Sequence, residues 1–326
     1  MPPEFTTNQE LPTHSTEEKI DHDFSREEIT QVSGSTHKKI ENQIQSGRPV
    51  IIGQDINTSL SESMQVFITP YGDVIYAGSD IGINYKKKRN EDRVGVNSQI
   101  GFAVVTDGMG GEAHGEIAAQ ILTESILNDP QNISSAIEIG RNKIIEQSPD
   151  QKSGACFVAA QIVKKDDQKF LLVHSAGDCE LAVLKPDGSV IFRSTVESVT
   201  NLFLRQGKFE SEKEAIRHPR NHIIYNSINT TGGEILFYPE IQIESGDRIL
   251  MMSDGISDNL LLENLLEIIR NSKDSRDAYH AISTITAERM YYAAKPILDP
   301  ETDNFTDGYP SPPKIDNRAL VIIDIA

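Results

Sequence analysis

"VVTDGMGGEAHGEIAAQ", Val104 to Gln120, runs from apolar residues into an aspartate among glycines and then into helical spacing. An Asp in a Gly-flanked turn is by itself an ordinary turn residue, because its carboxylate caps its own backbone and it tolerates unusual φ/ψ. The residues around it say more. "GFAVVTDG", Gly101 to Gly108, is a short apolar run that reads as a strand stopping at an Asp-Gly turn. Past it, Ile117, Ile121, Leu122 and Ile126 recur at the spacing of an amphipathic helix. The stretch predicts strand, turn and helix, with Asp107 delivered to the strand's end.

The same design recurs along the chain. "KFLLVHSAGD" delivers Asp178, "RILMMSDG" delivers Asp254, and Asp316 precedes the last apolar run, "RALVIIDIA". Glu91 and Asp92, in "KKKRNEDRVGV", add a pair of carboxylates near a strand start. Further strands are expected at "MQVFITP", "DVIYAGSDIGI", "GACFVAAQIV" and "ELAVLKPDGSVIF", the last turning at "KPDG". "EIQIESGDRILMMSDG" reads as a hairpin, and "TNLFLRQGKFESEKEAIRHPRN" as a short helix and a surface loop. Helices are expected through "ISSAIEIGRNKIIEQS", through "NLLLENLLEIIRNS" and from Ser275 to Ala294. Hairpin-connected strands with paired helices predict an α+β chain of antiparallel sheets covered by helices, not a βαβ wheel.

The 326 residues carry 49 Asp and Glu against 31 Lys and Arg, a formal charge of -18. That balance argues against nucleic acid or an anionic membrane as the main partner and suits a site that gathers divalent cations. Cys156 and Cys179 make no disulfide framework and have no zinc-ligand spacing. No apolar run approaches the roughly 20 residues of a membrane span, and the first residues lack a basic segment followed by an apolar core. A reducing cytoplasm is the expected compartment. Residues 1–64 are polar and acidic with scattered apolar positions, and read as a mobile leader. The folded domain is expected over residues 65–326.

Each acid taken singly is an ordinary solvated turn residue; the set is what carries chemistry. Magnesium and manganese are hard cations that take oxygen ligands, mostly carboxylates and water. Aspartates at adjacent strand ends converge without long side chains, and a neighbouring glycine lets a backbone carbonyl face the ion as well.

The ordered series "NED", "VVTDGMGG…GE", "GAC", "AGD", "SDGISD" and the "DN" before the final strand resembles the metal-dependent type 2C protein phosphatases, the PPM family, in its bacterial serine/threonine branch. The resemblance spans about Ile75 to Ile325. It implies an α-β-β-α sandwich of two antiparallel sheets flanked by helices. It also implies a hydrolase holding two Mn2+ or Mg2+ ions, in which a water bridging the ions attacks phosphorus. Carried over by position, Asp107 bridges both ions, the Gly108 carbonyl binds the first, and Asp254 and Asp316 hold the second. Glu91 and Asp92 act at or next to the ions, and Asp178 helps hold a third, weaker ion, with Asp254 shared. The implied partner is a phosphorylated protein, the substrate of a serine/threonine kinase, and the implied state a monomer.

The chain departs from the family pattern in places. Lys87 stands where the family commonly has the arginine that grips substrate phosphate, with Lys88 and Arg89 nearby, and lysine offers a point charge in place of a planar fork. Glu112 replaces the histidine of "DGMGGH", with His114 two residues on as a candidate general acid. The Gly-Gly before the last Asp-Asn reads Pro312, Pro313, Lys314 and Ile315. His174 is expected as a strand residue, and Asp258 as a supporting acid or a helix N-terminal charge. None of these changes removes an expected ligand. They leave, as the alternative, a weak or inactive pseudophosphatase that binds phosphoproteins.

Overall fold

The computed structural model describes residues 48–54, 57–82, 89–110, 114–147, 153–292, 298–299, 304–305, 309 and 311–326. In chain order the elements are β1 (Val50–Ile52), α1 (Leu60–Ser63), β2 (Gln65–Ile68), β3 (Val74–Asp80), β4 (Asp92–Asn97), β5 (Phe102–Met109), α2 (His114–Asn128) and α3 (Ile133–Gln147). Then come β6 (Gly154–Lys165), β7 (Gln168–Ala176), β8 (Glu180–Leu184), β9 (Val190–Arg193), α4 (Val199–Arg205) and α5 (Glu212–Arg217). The last part holds β10 (Ile228–Asn229), β11 (Leu236–Phe237), β12 (Ile241–Ile243), β13 (Arg248–Met252), α6 (Asp254–Ser257), α7 (Leu262–Asn271), α8 (Ser275–Tyr292), β14 (Leu298–Asp299), β15 (Asn304–Phe305) and β16 (Arg318–Asp324).

One sheet runs β1-β4-β5-β6-β7-β11, with β10 added to β6 and β12 to β7; the other runs β2-β3-β16-β13-β8-β9. Every pairing within them is antiparallel. Side chains alternate across a strand, and here both faces are covered. From β13, Ile249 and Met251 enter the layer between the sheets, where Val105, Val158 and Val321 meet them. Leu250 and Met252 point the other way, onto Leu265, Ala278 and Ile282 of α7 and α8. From β5, Phe102 and Val104 pack on Leu122, Ile126 and Ile137 of α2 and α3. This is the α-β-β-α sandwich. Burial on both faces is why the strands read as continuous apolar runs, each such side chain contributing about 1.5–3 kcal/mol over exposure.

Three expectations need correction. Asp107 does not end its strand: β5 continues to Met109 because Gly108 and Met109 still find partners in Ala155 and Gly154 of β6. "EIQIESGDRILMM" is no hairpin, since β12 pairs with β7 in one sheet and β13 with β8 and β16 in the other; its turn crosses the sandwich. The fold also begins ahead of the boundary expected between residues 64 and 65. β1 pairs along β4, and Leu60, fully buried, donates its N–H to Asp80 Oδ2 at 2.8 Å.

Candidate metal centre

The antiparallel order brings one set of strand ends together: the starts of β4, β6, β8 and β16 and the ends of β3, β5, β7 and β13. On the first sheet Asp92 and Asp107 sit opposite each other, with Cys156 beyond Asp107. Asp92 is buried, and its Oδ2 accepts the Ser253 hydroxyl at 2.5 Å, tying the two sheets together. Ser253 Oγ in turn accepts the Ala319 N–H at 2.9 Å. Asp107 is half-buried, and desolvation holds its carboxyl well above the usual carboxylate range, with Asp92, Asp254, Asp178 and Asp316 adding repulsion. Acids of both sheets therefore face Asp107.

Glu91 links the same corner. Its N–H donates to Asn317 Oδ1 at 3.0 Å and its carbonyl accepts the Gly108 N–H at 3.1 Å. A Cβ on Gly115 would lie 2.5 Å from Glu91 Oε1 and 2.8 Å from the Gly108 oxygen. Only glycine lets the start of α2 sit that close to both.

On the second sheet, Asp178 follows Gly177, which turns the chain from β7 toward β8 at φ 95°. A Cβ on Gly177 would stand 2.1 Å from Cys156 Sγ, so the corner requires glycine. Asp178 is pushed up to about 6 by desolvation and by Asp254, against a hydrogen bond from Cys156 and the charge of Lys314. Asp254 opens α6 directly after β13. Desolvation pushes it up to about 6 against the opposing pull of Lys314, with Asp316 and Asp258 adding repulsion. Asp258 is raised by desolvation, against Lys314 and with Asp178 and Asp316.

Lys314 was not among the expected site residues, and it stands inside the acid set. Its Nζ donates to Asp254 Oδ2, to Asp258 Oδ2 at 3.0 Å, and lies 3.3 Å from Asp316 Oδ2. Burial works against its charge, but Asp254, Asp258 and Asp316 outweigh it and hold the ammonium well above its ordinary range. The signal was in "PPKIDN": a lysine two residues before a site acid, behind two prolines that stiffen its approach.

The donor set suits a hard divalent cation. It is carboxylate throughout, it repels itself, and Asp254 Oδ1 is buried with no hydrogen-bond partner among the described residues. As the side chains stand, no group of three or more His, Cys, Asp or Glu among the described residues is arranged to hold an ion. The ammonium occupies the point where Asp254, Asp258 and Asp316 meet.

Lys87 and Glu112 lie outside the described residues. Arg89 pairs with Glu116 Oε2 at 3.1 Å, and so does the buried Arg93 with Glu116 Oε1 at 3.2 Å. His114 is the first residue of α2 and its carbonyl accepts Ser153 Oγ at 3.2 Å. His174 is a strand residue of β7, as expected, paired with Ala159 and Phe237. Cys156 and Cys179 are free and buried, and burial with the surrounding aspartates pushes both thiols well up. They are poor nucleophiles. No helix among the described residues is long and apolar enough to cross a membrane.

A family model described as protein phosphatase 2C matches residues 84–281. The chain belongs to that family. It is 27% identical over 221 residues to the serine/threonine protein phosphatase PstP of Mycobacterium tuberculosis, an alignment covering 63% of this chain and 40% of PstP. The chain thus spans about two fifths of that relative's length. It is 24% identical over 209 residues to the serine/threonine phosphatase stp of Listeria innocua, covering 57% and 79%. Among solved structures, the M. tuberculosis PstP/Ppp phosphatase superposes with a TM-score of 0.60 at 24% identity, covering 78% of this chain and 98% of that one. A PstP catalytic domain in complex with two manganese ions superposes with a TM-score of 0.57 at 22% identity, covering 77% and 97%. At these identities the superpositions establish the fold.

Proposed function

We propose that the chain is a metal-dependent phosphatase that hydrolyses phosphomonoesters on serine and threonine of proteins. The observation that carries the reading is the convergence of acids from both sheets: Asp107 opposite Asp92, Asp92 bonded to Ser253 beside Asp254, and Asp254, Asp258 and Asp316 around one ammonium. Family membership and the manganese of the PstP structure support it. Asp107 would touch both ions with the Gly108 carbonyl beside it, Asp254 and Asp316 would hold the second, and Glu91 and Asp92 would stand next to them. Asp178 would serve a third. When bound, such ions activate water and neutralise charge on the phosphoryl oxygens.

The chain's own residues supply the rest. Ser253 fixes one oxygen of Asp92 and so the spacing between sheets. Glu91 and Asn317 lock the first corner to the last strand. Lys87 would grip substrate phosphate. A cleft lined by Asp178, Asp254, Asp258, Arg193, Ser198 and Asn201 opens beside the acids under α4 and α5. Arg193 closes its far side by pairing with Glu180 at 2.5 Å and with Glu212 of α5. A cytoplasmic monomer acting against a serine/threonine kinase completes the proposal. The relatives above are named as phosphatases, which speaks against a binding module without turnover.

The test is hydrolysis of p-nitrophenyl phosphate and of phosphoserine and phosphothreonine peptides with manganese and with EDTA. Activity is expected only with the ion, and it should survive iodoacetamide. Asp107→Asn and Asp254→Asn should each cost several orders of magnitude in turnover. Lys87→Ala should cost roughly ten- to hundred-fold, the size of one charge-assisted phosphate contact. Turnover that persists in EDTA would overturn the proposal.

A further inference from the structure

Lys314 reaches the acids from a backbone that is itself held. The buried Asn259 amide donates to the Lys314 carbonyl at 2.9 Å and accepts the Lys314 N–H at 2.9 Å. Ser311 Oγ donates to the Asn259 carbonyl at 2.7 Å, and the buried Arg289 donates to that carbonyl and to Ser311 O. The strap from Ser311 to Asp316 is thus fixed, while the lysine stem keeps its four carbons of freedom. Its ammonium contacts Asp254, Asp258 and Asp316 from one point. A divalent cation shared by Asp254 and Asp316 would draw on the oxygens that Nζ now contacts, Asp254 Oδ2 and Asp316 Oδ2. Two cations cannot share that volume, because like charges a few ångströms apart repel strongly in a half-buried site.

We propose that Lys314 is a tethered counter-cation at the second-ion position, so that a divalent ion enters there only by exchange with the ammonium. This rests on the two-ion reading above and adds a term to it that no ligand supplies. A surface cleft flanked by His222, Pro312, Pro313 and Ile315 opens beside Lys314 and offers the displaced stem a place to lie. Two consequences follow. The carboxylates stay partly compensated without metal, so the metal-free fold is stabilised. Affinity at the second position is lowered by the competing charge, so occupancy there tracks the free ion concentration over a higher range than at the first.

The experiment is calorimetric titration of the full chain with MnCl2, wild type against Lys314→Met, together with thermal unfolding of both in EDTA and in manganese. Lys314→Met should bind its second manganese ion at least ten-fold more tightly. It should melt below wild type in EDTA and recover with manganese. Unchanged or weaker binding by a folded Lys314→Met protein overturns the exchange while leaving the two-ion reading intact. Absence of manganese binding by both proteins overturns that reading and the exchange with it. If Lys314→Met does not fold, amine acetylation of the wild-type chain, followed by mass spectrometry, decides the point. Manganese should speed labelling of Lys314 several-fold over EDTA, and equal labelling refutes displacement.

Discussion

Two acid–base clusters lie at the same end of the second sheet, four residues apart on one strand entry, and they are built in opposite ways. Arg318 and Asp80 are 2% and 4% exposed. The guanidinium meets the carboxylate with both faces of its fork, Nε on Oδ1 at 2.9 Å and Nη2 on Oδ2 at 2.5 Å. Nη1 is spent on the Ser283 carbonyl at 2.7 Å and Thr286 Oγ1 at 2.8 Å. Asp80 also accepts the N–H groups of Leu60 and Gly82. One cation answers one anion and the lone pairs are used. Among the described residues the Lys314 ammonium is shared by three carboxylates, and Asp254 Oδ1 has no hydrogen-bond partner. A closed pair of that first kind holds a fold together. The under-compensated set of the second kind retains the negative charge that the proposed ions would answer.

The largest effect expected from breaking this contrast is at Arg318. Arg318→Met leaves Asp80 buried without its counter-charge, which costs about 3–5 kcal/mol. Urea unfolding in EDTA and in manganese should show the same loss, because among the described residues Asp80 bonds to Arg318, Leu60 and Gly82 and not to the acid set. A loss that manganese repairs would make the two clusters one.

Next in size is removal of residues 1–63, measured against a chain that starts at Arg48. The shorter chain loses β1, and it loses Leu60 with its hydrogen bond to Asp80. Deleting one fully buried leucine alone costs about 2–5 kcal/mol, so thermal unfolding should separate the two chains by several degrees. Equal melting temperatures would return the domain boundary to residue 64.

That boundary is one of the places where the sequence is silent, for a physical reason. Val50, Ile51 and Ile52 make only a three-residue edge strand, too short for a period-2 pattern to rise above the polar stretch around it. The crossing between β12 and β13 is hidden likewise, since "ESGD" carries the same turn residues whether the chain folds back or passes to the other sheet. The candidate acids were legible because strand ends and Gly neighbours are local features. Lys314 was legible only as a departure: its meaning depends on Asp254, 60 positions away in the chain. Asp80 and Arg318, 238 positions apart, had no local mark at all.

Asn259 tests whether the held strap matters to the exchangeable cluster. Asn259→Ala removes its bonds to Gly255 O at 2.8 Å and to both backbone groups of Lys314. Two of the groups left behind are carbonyls and one is an N–H, so a loss of about 1–3 kcal/mol is expected in EDTA. Manganese titration should also show a changed affinity for the second ion, because Lys314 is no longer aimed. Full stability with unchanged titration would mean that the strap is held elsewhere.

The smallest expected effect is at a half-buried titratable group that neither kind of ion pair serves. His174 lies in β7 between Ala159 and Phe237, with the Phe237 ring edge-on at 4.9 Å and 87°. Burial alone lowers its pKa from the usual 6.5. The folded chain therefore binds this proton less readily than the unfolded chain. The stability that follows is complete above pH 6.5 and is lost as pH falls through that value toward the lowered one in the fold. The site acids titrate in the same range with the opposite sign, since a raised carboxyl favours the folded state at low pH. Comparing wild type with His174→Gln in EDTA between pH 8 and pH 5 cancels the acids and leaves the histidine. The wild type should lose ground to the variant as pH falls, by less than any change above. A gap between the two proteins that does not vary with pH would show that His174 is hydrated in the fold.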